Sequence, residues 1–207
     1  MDSLINTLRR SRAARFGLSA LSVVLFVSAV GLLGYPVYTN FYQSRVQSRL
    51  KRQIASPEHV ARYKAGTIED GDALTRIKIP ALDVDVVVVE GTSASALRAG
   101  AGHYPKTPLP CEAGNVSIAG HRTTYGKPFA NVDRLKPGDT IILETPIGSC
   151  TYEVSKAPFV TTPVDFSVVA NDASVHALTL TTCHPKGSAK ERLVVKAALT
   201  KGAATNA

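Results

Sequence analysis

Three side chains with complementary chemistry stand at the ends of candidate β-strands: His121, Cys183 and Arg192. A cysteine nucleophile needs a base or counter-ion, and histidine is the side chain whose pKa suits that role near neutral pH. Acyl transfer also develops an oxyanion, which the planar guanidinium group of an arginine can bind. The three residue types therefore indicate acyl transfer through a thioester, provided that the fold brings them together.

Each of these residues also has a simpler interpretation when it is taken alone. His121 is compatible with a surface or capping histidine, Cys183 with half of a disulfide in an exported domain, and Arg192 with a solvated arginine at a strand start. Alternation along residues 178–183 places the Cys183 thiol on a polar face at the end of its strand. That position differs from the buried site of a typical structural cysteine and favours a chemical role.

The elements that must position these residues have the patterns of short β-strands. Alternating or β-branched runs begin near residue 73 and are separated by turn signals rich in proline, glycine and aspartate. Several short strands at this spacing predict a closed or nearly closed β-barrel. The predicted strands are 76–79, 84–89, 115–120, 140–144, 151–160, 177–182 and 193–199, with short helical turns at 93–97, 129–135 and 164–169.

A long uncharged segment precedes the barrel. Residues 16–44 carry no charge, and residues 16–37 are almost wholly apolar or small, which exceeds the ~20 residues that a membrane-spanning helix needs. A cleaved signal peptide has a shorter apolar region of roughly 7–15 residues, so the pattern favours an uncleaved anchor. Because long segments translocate largely regardless of charge, we predict a cytoplasmic N terminus and an extracellular C-terminal domain.

Composition limits the class of protein and of partner. With 44% hydrophobic and 19% charged residues, the chain is not a disordered tail protein. Much of the formal net charge of +8 lies beside the membrane segment, which indicates lipid headgroups and not nucleic acid. No acidic cluster has the spacing of calcium ligands, so no metal is predicted.

The predicted parts are a basic head (1–15), a transmembrane helix (16–37), a polar helical stalk (38–72), a catalytic domain (73–200) and a flexible tail (201–207).

Three segments resemble the sortases, the membrane-anchored cysteine transpeptidases of Gram-positive bacteria. The run TLTTC at 179–183 is similar to the TLxTC signature, AGHR at 119–122 resembles the segment of the catalytic histidine, and ERLVV at 191–195 resembles the arginine strand. Their order and the N-terminal anchor also agree with that family. Further details at 102–105, 121–126 and 183–185 are similar to class E of actinobacteria. The resemblance covers roughly residues 77–199 and implies a sortase-type β-barrel of eight strands.

The resemblance implies a mechanism and a set of partners. Cys183 would attack the Thr–Gly carbonyl of a C-terminal sorting signal on another exported protein. His121 would act as general acid and base, and Arg192 would position the substrate and stabilise the oxyanion. An amine of a cell-wall precursor would then resolve the thioester, so that the reaction is transpeptidation without a cofactor.

Two further residues are implicated in substrate binding by the same resemblance. Class E membership implies an LAxTG-like signal in place of LPxTG, a preference that the family connects with a loop tyrosine, here Tyr104. Alternatively, Tyr104 only packs its ring on the barrel. Thr182, beside the nucleophile, is a candidate for the oxyanion site or simply a residue with high β-propensity.

Cys111 and Cys150 leave two alternatives open. With Cys183 as nucleophile, the remaining pair could form a disulfide, since both residues could lie near one end of a small barrel. Alternatively they are two independent free thiols, because the sequence does not fix the distance between them.

Three other functions compete with this interpretation. A cell-wall L,D-transpeptidase also uses cysteine and histidine, but places them in one contiguous stretch of sequence. A non-catalytic surface β-barrel that binds peptide or wall polymer would tolerate the loss of Cys183. A pilus-assembling sortase is disfavoured by the lack of an obvious lid segment between residues 66 and 76.

Overall fold

A computed structural model of the protein describes residues 12–202. The predicted basic head up to residue 11 and the predicted tail from residue 203 lie outside the described residues. The chain divides into two compact units, of which residues 12–39 and residues 40–202 are described.

The first unit is helical and forms the beginning of α1 (Arg12–Ile54). Among the described residues, α1 is the one helix long and apolar enough to cross a membrane, and its most apolar window has a mean hydropathy of 2.3 and is wholly exposed. At about 1.5 Å of rise per residue, residues 16–37 extend roughly 33 Å, close to the thickness of a bilayer's hydrocarbon core. These properties indicate a single-pass membrane anchor.

The second unit is built around a closed sheet. Strands pair in the order β6-β5-β1-β2-β3-β4-β8-β9, and β6 also pairs with β9, so eight strands close on themselves while the short β7 adds to β9. This arrangement confirms the predicted eight-stranded barrel. The strands are β1 (Ala73–Ile79), β2 (Val84–Glu90), β3 (Ala101–His103), β4 (Gly114–Ala119), β5 (Thr140–Thr145), β6 (Gly148–Val154), β7 (Phe159–Thr161), β8 (His176–His184) and β9 (Glu191–Lys201).

Short helices connect or flank the strands. They are α2 (Pro57–Lys64), α3 (Ala94–Ala99) and three 3₁₀ turns at Pro80–Leu82, Val132–Arg134 and Phe166–Val169. Ser56 and Ser93 cap α2 and α3, because their hydroxyl oxygens accept bonds from the backbone N–H of His59 and Ala96.

Alternation along the central strands separates the core from the site. On β8, Leu178 and Leu180 lie inside the barrel with the β4 residues Val116 and Ile118. Successive strand residues point to opposite faces. The odd-numbered residues of β8, ending at Cys183, therefore lie on the outer face.

The largest differences from the predicted strands are one divided strand and one additional strand. The predicted strand 151–160 is divided into β6 and β7, because Pro158 between them lacks the N–H that a continuous ladder requires. β3 was not predicted, since its three residues, Ala-Gly-His, have neither alternation nor β-branched side chains.

The predicted stalk, 38–72, contributes mostly to the barrel unit, which begins at Asn40. The side chain of Gln53 donates a hydrogen bond of 2.9 Å to Asp72, and His59 Nε2 donates one of 2.6 Å to the carbonyl of Ala73, the first residue of β1. Polar side chains of this segment thus form hydrogen bonds within the barrel unit, so residues 40–72 do not form a free spacer.

Candidate active site

The pairing of β8 with β9 positions Cys183 and Arg192. The two residues are direct partners in this antiparallel ladder, so their side chains emerge on the same face with Cβ atoms about 4.5–5.5 Å apart. Cys183 is a free thiol and is half-buried. Because β8 ends one residue later, the thiol lies at the rim of the barrel.

The parallel pairing of β4 with β8 brings His121 to the same rim. The register runs to Ala119 opposite Thr181, and the backbone N–H of Gly120 continues it with a 3.1 Å bond to the Thr181 carbonyl. His121 lies two residues after Ala119, and Cys183 lies two residues after Thr181. Because neighbouring strands lie about 4.7–4.9 Å apart, the backbone positions of His121 and Cys183 are close together at this rim.

Gly120 allows the backbone to approach the core just before His121. A Cβ atom at this position would lie 2.5 Å from the ring of Phe129, which is completely buried. The N–H of Phe129 donates a 3.1 Å bond to the His121 carbonyl. Packing at Gly120 and the hydrogen bond at His121 therefore both hold this segment against Phe129.

Burial and a nearby cation keep His121 neutral. Partial burial lowers the pKa of His121 below its usual value of 6.5, and the charge of Arg98 on α3 lowers it further. The ring of Tyr125 lies 5.4 Å from the imidazole, centroid to centroid. A neutral imidazole at pH 7 can accept a proton from a thiol.

The Arg192 side chain is held at the turn between β8 and β9. Its Nη1 donates to the carbonyls of Ala189 (3.0 Å) and Glu191 (3.1 Å). Within residues 12–202, the Nε and Nη2 groups of this guanidinium make no hydrogen bond. They are therefore available to a ligand oxygen near Cys183.

Thr182 points away from this face and ties two strands together. Its side chain is buried, and its hydroxyl donates a 2.7 Å bond to the Gly120 carbonyl. A hydroxyl has one proton to donate, and here that proton is used on the residue before His121. In this structure Thr182 therefore aligns β8 with the histidine segment.

Tyr104 lies beside the outer face of β8. Its hydroxyl is 3.0 Å from the hydroxyl of Thr181, two residues before Cys183 on the same face. The phenol lines a cavity of about 670 Å³ that also includes Phe166 and Val169 of the β7–β8 connection. A largely apolar cavity of this kind is suited to the side chains of a peptide.

A buried polar network holds the wall of this cavity. Asn115 donates through Nδ2 to the carbonyls of Val168 (3.2 Å) and Ala170 (3.0 Å). Lys196 Nζ bonds the same Val168 carbonyl and, at 2.8 Å, Thr179. Burial lowers the pKa of this lysine. Sequence reasoning missed the network, although a lysine within the apolar run of β9 was a signal for it.

Arg122, the residue after His121, was also missed as a functional residue. Its buried guanidinium donates through Nη1 to the Cys183 carbonyl (3.3 Å) and to His184 Nδ1 (2.8 Å), and through Nη2 pairs with Asp133 at 3.2 Å. Because a guanidinium only donates, His184 Nδ1 must accept. Arg122 thus holds the backbone carbonyl of the nucleophile and the side chain of the residue that follows it.

Cys111 and Cys150 form a disulfide, with their Cα atoms 5.7 Å apart. Both residues are buried in the barrel core, and Cys150 pairs with Leu143 in the β5–β6 hairpin. Cys183 is accordingly the one free thiol of the chain.

Comparison with known proteins identifies the family. The family model described as the Sortase domain matches residues 77–200. Sortase SrtE1 of Streptomyces coelicolor is 37% identical over 144 residues, which cover 63% of this chain but only 41% of that protein.

Solved structures show the same relationship. A sortase D5 transpeptidase of Clostridium perfringens superposes with a TM-score of 0.67 at 32% identity, covering 77% of this chain and 98% of the other. Sortase E1 of S. coelicolor, solved with a tripeptide in its active site, gives a TM-score of 0.57 at 32% identity over 63% and 90% of the two chains. The predicted resemblance is thereby confirmed, and class E is consistent with these relatives. The chain belongs to the sortase family of cysteine transpeptidases.

Proposed function

We propose that the protein is a transpeptidase that cuts an LAxTG-like sorting signal between threonine and glycine and transfers the threonyl carbonyl to a cell-wall amine. The observation that carries the proposal is the convergence of Cys183, Arg192 and the segment of His121 at one rim, through the β8–β9 and β4–β8 registers. A nucleophile, a base and an oxyanion donor on adjacent rigid strands form an acyl-transfer site.

In the first half-reaction, Cys183 Sγ attacks the carbonyl carbon of the Thr–Gly bond. The thiol proton passes to the neutral imidazole of His121, while Arg192 holds the developing oxyanion. As the intermediate collapses, the C–N bond breaks and His121 returns the proton to the leaving glycine amine. The products are a thioester on Cys183 and a released C-terminal peptide.

In the second half-reaction, an amine attacks the thioester carbonyl. His121 takes the proton that the attacking nitrogen loses, and the C–S bond breaks. The thiolate of Cys183 then recovers that proton from the imidazolium, so the enzyme ends as it began. The new bond is an amide, and no oxidant or cofactor is consumed.

We further propose that the cavity beside Tyr104 accommodates the first residues of the signal. The hydroxyl of Tyr104 bonds the hydroxyl of Thr181, which lies two residues before Cys183. This bond holds the phenol ring in place and so limits the depth of the cavity there. Because the ring of Tyr104 occupies one side of this space, the second position of the signal should accept alanine more readily than the larger proline. Tyr104→Ala should therefore increase the rate with LPxTG relative to LAxTG, whereas Tyr104→Phe tests the hydroxyl alone.

The segment between residues 66 and 72 supports a housekeeping enzyme over a pilus-assembling one. Gly71 donates its N–H to the Glu90 carbonyl at 2.8 Å, and Asp72 pairs with Arg62 at 2.6 Å. These bonds hold the segment against β2 and α2. The lid of a pilus-assembling sortase would instead need to cover the site where the peptide binds.

The proposed location is a single-pass membrane protein with a cytoplasmic N terminus. The support is the exposed apolar helix and the general rule that a long C-terminal domain is translocated whatever its flanking charge. The substrates would then be exported proteins at the outer face of the membrane, and the acceptor amine a component of the wall precursor.

The proposal is tested with the full-length protein in detergent micelles. LAxTG and LPxTG peptides are incubated with an amine acceptor, and the products are read by mass. We expect the amide product from wild type, preferentially with LAxTG, and none from Cys183→Ala. If Cys183→Ala binds the peptide as tightly and wild type forms no product, the barrel is a binding module and the proposal is wrong.

A further inference from the structure

Three amide side chains lie along one face of α1, where it enters the barrel unit. Asn40, Gln43 and Gln47 have the spacing of a single helical face. Gln47 is satisfied at both ends: Nε2 donates to the carbonyls of Val87 (3.0 Å) and Ala99 (2.8 Å), and Oε1 accepts from the Val87 N–H (2.7 Å). Backbone-directed bonds of this kind fix the helix in one register on the barrel.

The other two amides lie against the loop that follows His121. Asn40 Oδ1 accepts a 3.3 Å bond from the backbone N–H of Gly126. A Cβ atom on Gly126 would overlap the side-chain amide of Gln43. Gln43 is only 6% exposed, so the amide has little room to move away. The glycine is also in the left-handed region, with φ +68°.

This contact is one residue from the ring that covers His121. Tyr125 precedes Gly126, and its ring lies 5.4 Å from the imidazole. The loop is short and internally bonded, with Lys127 N–H donating to the Thr124 carbonyl at 2.9 Å. A shift of Gly126 must therefore move Tyr125 and change the burial of His121.

Gln43 has a feature that stability alone does not explain. Its Nε2 is buried, and no acceptor for it exists among residues 12–202. An unsatisfied buried donor costs stability, so an apolar side chain of the same length should be at least as stable here. A residue that is suboptimal for stability and touches the active-site loop is a candidate for a functional role.

We propose that Asn40 and Gln43 are positioning residues for the reaction: through Gly126 and Tyr125 they set the placement and burial of His121, so that the helix continuing from the anchor is part of the catalytic apparatus. The inference rests on the proposed function of His121. Tyr125 on the same loop and Arg98 on α3 lie near this imidazole, and Cys183 lies at the end of the neighbouring β8.

The first test uses two glycines with the same backbone requirement. Gly126→Ala meets Gln43, whereas Gly138→Ala (φ +95°) has nothing within 4 Å. In the full-length protein, we expect Gly126→Ala to lower kcat/KM by about 10- to 100-fold and Gly138→Ala to leave it within about 2-fold. The double variant Gln43→Ala/Gly126→Ala removes the overlap but also the positioning amide, so its kcat/KM should lie above that of Gly126→Ala and no higher than that of Gln43→Ala alone.

The second test separates positioning from stability. For Gln43→Met we expect an unchanged or raised Tm, a lower kcat with KM little altered, and a higher pKa of His121 in an NMR titration, because the imidazole becomes more hydrated. Ser44→Ala, on the exposed side of the same turn, should change none of these values.

The outcomes distinguish the two proposals. If wild type transfers peptide but Gln43→Met keeps its kcat and the pKa of His121, the positioning role is wrong while the proposed function stands. If Gln43→Ala/Gly126→Ala is no more active than Gly126→Ala, the loss comes from backbone strain and the role is also wrong. If His121→Ala retains wild-type transfer, the proposed function itself fails.

Discussion

Arg192 stands directly opposite Cys183 in the antiparallel pairing of β8 with β9. A ladder position is set by many backbone hydrogen bonds, so the two residues are held next to each other without any mobile loop having to fold first. An oxyanion donor held in this way would be preorganised, which is the condition under which electrostatic stabilisation contributes most to catalysis.

Arg192→Ala should lower kcat/KM by about 10²–10³-fold, because it removes the oxyanion donor. Arg192→Lys should recover only part of the loss, since a point charge does not reproduce two parallel N–H donors. Steady-state transfer of the LAxTG peptide is the measurement, with Lys190→Ala in the same turn as control. Wild-type kinetics in Arg192→Ala would remove this residue from the mechanism.

The acid limb of the pH profile should report His121. Burial, and then Arg98, lower its pKa below 6.5, so the neutral base persists below that pH and kcat/KM falls only as the pH drops through the lowered value. Arg98→Gln removes one of the two causes and should move the limb to higher pH. A limb that stays in place, or moves to lower pH, would show that it does not belong to His121.

Arg122→Met should damage both stability and turnover. It removes the donor that Arg122 supplies to the half-buried Cys183 carbonyl and His184 Nδ1, and each lost hydrogen bond costs about 0.5–1.5 kcal/mol. Denaturant unfolding measures the loss of stability, and kcat should fall more than KM rises. Asp133→Asn is the matched comparison, because it weakens only the half-exposed ion pair, worth up to about 1 kcal/mol. Equal effects in the two variants would mean that the contacts with Cys183 and His184 contribute neither to stability nor to turnover.

The disulfide predicts a thiol count and a stability change. The non-reduced protein, unfolded in denaturant, should react with one equivalent of alkylating reagent, at Cys183. The bridge joins residues 39 apart, and a loop of that size contributes about 3–4 kcal/mol by restricting the unfolded chain. The double variant Cys111→Ser/Cys150→Ser should lose that stability and keep its catalytic thiol. Three reactive thiols in wild type would contradict the pairing.

The barrel could be predicted because its strands carry the signals on which such predictions depend. The alternation of Leu178 and Leu180 with Thr179 and Thr181 fixed both the strand and the face of Cys183. β3 could not be predicted in this way, since its stability comes from its neighbours β2 and β4 and not from its own three residues.

The supporting residues of the site were harder to predict for a different reason. An amide such as Gln47, or a cation such as Arg122, looks the same in sequence whether water or a distant backbone carbonyl satisfies it. Residues 40–54 therefore resembled a solvated stalk, although their polar face is bonded to β2 and α3. The pairing of Cys111 with Cys150 was open for the same reason, because it depends on a distance that only the fold sets.

The proposed reaction requires a thioacyl intermediate on Cys183. The most direct measurement is the intact mass of the full-length protein in micelles, quenched in acid after mixing with an LAxTG peptide in the absence of an amine, followed by peptide mapping. We expect release of the glycine-led fragment and an acyl group on Cys183 that hydroxylamine removes. Cleavage of the peptide by Cys183→Ala, or an acyl group mapped to any other residue, would contradict it.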